Sequence, residues 1–126
     1  MLLVETVQDL LQCKAAIIGA RRAMAKIGRQ VPIQAQVTME LTGRMLVGTE
    51  IGAALASIDP LNVDIIGLNC ATGPTEMSEH LRYLSRFSSL PLVVMPNAGL
   101  PELTSDGAYY PLTPSELATA QLQFVN

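Results

Sequence analysis

The sequence predicts an α/β fold made of four consecutive βα units around a parallel sheet, and three observations predict it. Short strand-like runs alternate with amphipathic helical segments, the signature of strands joined by crossover helices. The units recur at a period of roughly thirty residues, the size of one βαβ unit. The third strand, 63–69, is almost continuously apolar, as expected where both faces of a strand are covered.

The first unit opens with a strand over 1–6 and continues as a helix over 8–25. Leu10, Ile17 and Met24 share one stripe of that helix, with Leu11 and Ile18 beside it, and Gly28 is a stop signal. The second strand spans 32–38. A loop through Thr42-Gly43 leads to a helix over 49–58, whose Gly52, Ala53, Ala54 and Ala56 permit close approach to the sheet. Asp59-Pro60 closes it. After the third strand comes a helix over 75–87 with Met77, Leu81, Leu84 and Phe87 inward. The fourth strand, 92–95, is followed by a Gly- and Tyr-containing loop. The last helix opens at Thr113-Pro114-Ser115-Glu116, a Thr cap with Pro at the first helical position and Glu three residues after the cap.

Composition bounds the function. The 126 residues are 49% hydrophobic and 15% charged, enough apolar material for one core, so the chain reads as a single domain over 1–126. Its net charge is −3 with scattered basic residues, which leaves no electrostatic footprint for nucleic acid or an anionic membrane. No apolar run approaches the ~20 residues of a membrane span. Two dispersed cysteines and no signal-peptide pattern place the chain in a reducing, cytoplasmic setting. Met1-Leu2-Leu3-Val4 begins directly in an apolar run and Phe124-Val125-Asn126 ends a helical pattern without a cap, so both ends read as cut.

Polar residues follow each strand, where open α/β sheets and barrels converge on ligands: Glu5-Thr6, Thr38-Met39-Glu40, Asn69-Cys70 and Asn97-Ala98-Gly99. A free cysteine is more often a small packed hydrophobe than a functional group, and Cys70 alone carries no more than that. A carboxylate such as Glu5, set after apolar strand residues, is costly to bury without a cation or donors; a structural hydrogen bond explains it equally well. Cys13 reads as helix packing, and His80, the one histidine, as part of a solvated helix face. One histidine in that position supports no Ser-His-Asp or Cys-His pair, and no spaced-glycine motif supports nucleotide binding. Four parallel strands fit a small doubly wound sheet or half of an eight-stranded barrel, and the pattern does not choose between them.

A resemblance does choose. Val4-Glu5-Thr6-Val7-Gln8-Asp9, Val37-Thr38 with Thr42-Gly43-Arg44, Ile66-Gly67-Leu68-Asn69-Cys70-Ala71-Thr72-Gly73-Pro74 and Pro96-Asn97-Ala98-Gly99-Leu100-Pro101 occur in order at βα-unit spacing. Together they resemble the homocysteine-binding domain of cobalamin-dependent methionine synthases, within the homocysteine S-methyltransferase family, over essentially the whole chain. The resemblance implies a partial (βα)8 TIM barrel, strands four to seven with their helices. It implies a zinc ion held by three cysteines, of which Cys70 matches the first; the adjacent pair belonging after the eighth strand has no counterpart here. It implies that homocysteine, activated as a zinc thiolate, takes a methyl group from methylcobalamin to give methionine, with Glu5 holding the substrate ammonium, Asn97 helping to orient the amino-acid end and Thr38 in the pocket wall.

The resulting expectation is a fragment of that domain, inactive alone, working beside pterin- and cobalamin-binding modules of a parent protein. A half barrel leaves two strand edges and its inner face uncovered, so the isolated chain is expected to self-associate and to lack stoichiometric zinc. The alternatives are a non-catalytic half-barrel assembly module, a betaine- or S-methylmethionine-type homocysteine methyltransferase fragment, and an unrelated flavodoxin-like sheet.

Overall fold

The computed structural model describes residues 1–105 and 107–125; Asn126, part of the C-terminal pattern above, lies outside them. Strands β1 (Leu2–Val7), β2 (Ile33–Val37), β3 (Ile65–Asn69) and β4 (Leu92–Met95) form one parallel sheet in the order β1-β2-β3-β4. Helix α1 (Leu10–Ile27) joins β1 to β2, α2 (Ile51–Ile58) with a 3-10 turn at Asp59–Leu61 joins β2 to β3, and α3 (Pro74–Phe87) joins β3 to β4. A two-stranded antiparallel hairpin, β5 (Glu102–Thr104) and β6 (Gly107–Tyr109), precedes α4 (Pro114–Leu122).

The sheet order is consistent with part of an α/β barrel. A doubly wound sheet reverses its order at a switch point; this one does not. Successive right-handed crossovers without reversal stack their helices on one face. That face carries Val4, Ala35, Ile66 and Leu92 in register, with Ile33, Val37, Leu68 and Val94 beside them, and packs with Ile17, Met24, Ile58, Met77 and Leu84 into one core. The opposite face presents Leu3, Glu5, Gln34, Gln36, Ile65, Gly67, Asn69, Val93 and Met95, of which Gln34, Gln36, Gly67 and Asn69 are buried.

Local chemistry sets the helix ends. Asp9 accepts from the N–H groups of Leu11 and Gln12 at 2.7 and 3.3 Å, so α1 begins at Leu10, two residues later than the periodicity suggests. Its buried stripe is Cys13, Ile17 and Met24, with Leu10 partly buried; Leu11 and Ile18 face solvent. Gly28 ends α1 in the left-handed region at φ 66°, as expected of a glycine after a helix. Thr113 caps α4 reciprocally with Glu116.

Three readings change. The small residues of α2 divide: a Cβ on Gly52 would lie 2.7 Å from the Tyr83 hydroxyl oxygen on α3, Ala53 and Ala56 are exposed, and Ala54 is buried in the core with the sheet residues. Phe87 is exposed and stacks on Tyr83, ring centroids 4.5 Å apart. The segment after β4 contains, in place of a plain loop, the β5–β6 hairpin, whose strand residues are all exposed. No helix among the described residues is long and apolar enough to cross a membrane.

Candidate functional site

The carboxyl ends of β1, β2 and β3 are joined by side chains rather than by ladder bonds alone. The β1–β2 register slips between Val4 and Val7, a bulge that carries Glu5 and Thr6; bulges of this kind re-aim side chains beside functional sites. Thr6 sits at φ 56°, in the left-handed region, and its N–H donates to Asn69 Oδ1 at 2.9 Å. Asn69 Nδ2 donates in return to Thr6 Oγ1 at 2.9 Å. Thr38, directly after β2 and 1% exposed, donates from Oγ1 to the Asn69 carbonyl oxygen at 3.2 Å.

Cys70 is half-buried against this cluster. Its Sγ lies 3.6 Å from Thr38 Oγ1 and 3.9 Å from Thr6 Oγ1, so two hydroxyls flank the sulfur. The backbone there is strained: Cys70 and Ala71 have φ of 45° and 61°, each costing about 1–3 kcal/mol for a residue with a Cβ. The turn is held by Cys70 N–H to the Met95 carbonyl at 3.1 Å and by Thr72 N–H to the Cys70 carbonyl at 2.8 Å. Three strained non-glycine residues on two adjoining loops mark this end of the sheet as a place where geometry is held against local preference.

The loop after β4 is latched to the Cys70 loop. Asn97 N–H donates to the Thr72 carbonyl at 3.0 Å, and Asn97 is half-buried. Gly73 and Gly99 touch: a Cβ on Gly73 would sit 2.8 Å from Gly99 Cα, closer than a side chain tolerates. Gly73 must be glycine for the loops to meet, while Gly99 occupies φ 93° and a Cβ on it would lie 2.8 Å from Pro111 Cγ.

Glu5 behaves differently from the buried carboxylate considered above. It is exposed and has no ion-pair partner among the described residues, whose salt bridges are Arg44 with Glu50 and Arg82 with Glu79. An exposed carboxylate on the uncovered face is available to an ammonium group. Thus Thr38 and Cys70 come together directly, Asn97 is tied in through backbone, and Glu5 adjoins the cluster through Thr6. Thr6 and Asn69 stand in motifs noted in the sequence, but their contact spans 63 positions and skips β2, so no local pattern announces it.

The remaining titratable residues lie elsewhere. Cys13 is buried in the core and its thiol is pushed up to about 11 by desolvation, consistent with packing. His80 is half-buried rather than fully solvated, and burial lowers its pKa against an opposing pull from Glu79. Among the described residues no three His, Cys, Asp or Glu side chains are grouped to hold a metal. Around Cys70 the donors are hydroxyls and an amide, so these residues alone do not fit zinc, which takes three or four N, S or carboxylate ligands. The larger clefts lie on the helical side, one of about 370 Å³ between α3, β4 and the C-terminal residues Phe124 and Val125.

Known proteins share this sequence closely. A family model described as homocysteine S-methyltransferase matches residues 1–126. The chain is 64% identical over 124 residues, 98% of its length, to a protein named methionine synthase from Mycobacterium tuberculosis. It is 63% identical over 123 residues to a methionine synthase from Mycobacterium leprae. In each case it spans 10% of the relative's length.

Proposed function

The chain belongs to the homocysteine S-methyltransferase family, and from that membership we propose that it forms part of a homocysteine-binding (βα)8 barrel serving methyl transfer to homocysteine. The observation that carries the reading is the cluster of Thr6, Thr38, Asn69 and Cys70 at the carboxyl ends of three parallel strands, where barrels place their chemistry. Glu5 takes the substrate ammonium through a charge-assisted hydrogen bond. The Asn97 loop, latched to Thr72, lines the amino-acid end, and Thr38 forms the wall beside Cys70.

Cys70 supplies one thiolate ligand of a zinc site whose other ligands come from polypeptide outside these 126 residues. Bound zinc would favour the thiolate form of a substrate thiol at neutral pH. The residues of this chain position and orient: Glu5 fixes the ammonium, Thr38 and Thr6 surround the sulfur ligand with hydroxyls, and Asn97 closes the adjoining loop. Methylcobalamin, carried by another module beside a pterin-binding one, is the methyl donor in this reading. In a cytoplasmic parent protein the 126 residues alone are inactive.

Metal analysis tests the division of ligands. After desalting, the chain is expected to retain far less than one zinc per monomer. One tightly held zinc per monomer would contradict the assignment of the missing ligands to other polypeptide.

A second reading has its own observation. Edge strands β1 and β4 expose Leu2, Leu3 and Met95 at 39%, 44% and 49%, so a half barrel that associates through its open strand edges is the non-catalytic alternative. Size-exclusion chromatography separates the two: a stable dimer indifferent to homocysteine supports assembly, and a ligand-responsive Cys70 supports the substrate site.

A further inference from the structure

We propose that Asn69 is a positioning residue that clamps the end of β1 to the end of β3 and so holds Glu5 and Cys70 at one fixed separation. The proposal rests on the reading above, in which those two residues meet the ammonium and sulfur ends of the same substrate.

β1 and β3 are not neighbours in the sheet, because β2 lies between them. Their backbones are about two strand spacings apart, roughly 9.6 Å, and no ladder bond connects them. The ladders of β2 relate them along the sheet, and past Val37 a side chain reaching over the end of β2 joins their ends directly. The Asn69 carboxamide does this with both of its atoms, accepting from Thr6 N–H and donating to Thr6 Oγ1, each at 2.9 Å. Thr38, at the end of β2, supports it from below through its bond to the Asn69 carbonyl oxygen.

The backbone is adapted to this contact. The bulge between Val4 and Val7 removes Thr6 from the β1–β2 ladder, and its left-handed φ of 56° accompanies the turn of its N–H toward Asn69. Glu5 precedes Thr6 and Cys70 follows Asn69, so the residues flanking the two ends of the clamp are the proposed substrate contacts. A substrate gripped at both ends is selected by length, and the clamp defines that length.

Bifunctional thiol reagents of graded span measure the separation directly. In the Glu5→Cys variant, cross-linking to Cys70 is expected to favour one span over the next longer by about fivefold or more, since intramolecular rates peak where linker and gap match. Cys13, buried and with a raised pKa, stays unlabelled and serves as an internal control. Adding Asn69→Ala or Thr6→Val is expected to reduce the preference to under about twofold, while Thr6→Ser, which keeps the hydroxyl and the N–H, preserves it. Unchanged span preference in Asn69→Ala, which removes both bonds to Thr6, with a native circular dichroism spectrum, overturns the clamp. Failure of homocysteine to shield Cys70 in the unsubstituted chain overturns the substrate reading instead, and the span measurement is independent of it.

Discussion

The two faces of the sheet are built by opposite rules. On the helix-bearing face every in-register position is apolar, and Ile33, Ala35, Val37, Ile66 and Leu68 are at most 1% exposed. On the other face the same strands carry Glu5, Gln34, Gln36 and Asn69. Gln36 is fully buried, its Nε2 donates to Met95 Sδ at 3.2 Å, and its Oε1 has no hydrogen-bond partner among the described residues. A buried, unpaired amide oxygen is a cost that folding alone does not explain. The first face holds the fold together, and the second keeps polar groups in place at the expense of stability, as functional surfaces do.

Substitutions on the two faces should therefore differ in sign as well as size. Leu84→Ala, which empties a fully buried position under the sheet, is expected to destabilise the chain by about 3 kcal/mol in urea unfolding. Gly67→Ala, on the open face, is the exception because it strikes backbone rather than a polar group: it should cost up to ~3 kcal/mol, since a new Cβ would lie 1.9 Å from the Val93 carbonyl oxygen and force β3 from β4. Gln36→Met on the open face should instead raise stability by about 1 kcal/mol, by removing the orphaned oxygen; a loss of similar size would break the comparison.

Glu5→Gln sharpens it further. The exposed side chain contributes little to folding, so stability should stay within about 0.5 kcal/mol. Homocysteine should protect Cys70 about 30-fold less well, the equivalent of ~2 kcal/mol for a hydrogen bond to a charged group.

The smallest effect is a pH slope. His80 has a pKa lowered by burial from its ordinary 6.5, so between its folded and unfolded pKa values the unfolded chain binds more protons. Stability should fall as pH drops below about 6.5 and level off below the folded pKa. His80→Asn should remove that slope in thermal melts recorded across the range.

The same contrast explains what could be read from the sequence. The helix-facing residues repeat at the periods of strand and helix, so the four units, the Gly28 stop and the Thr113 cap were legible. The β5–β6 hairpin was not, because its strand residues are all exposed and leave no alternation to read. Small residues on α2 indicated close packing, but only the fold reveals Tyr83 as the partner. At the site, strand-end position singled out Glu5, Thr38, Cys70 and Asn97 alike, whereas a role for each came through the family resemblance. The Asn69–Thr6 contact joins residues 63 apart across an intervening strand, which no periodicity encodes.

Carboxamidomethylation of Cys70, followed by mass spectrometry with and without L-homocysteine, tests the central claim most directly. The substrate-site account predicts that homocysteine slows labelling of Cys70 while Cys13 stays unlabelled throughout. Identical Cys70 labelling with and without homocysteine, in a chain whose Cys13 remains protected, would contradict it.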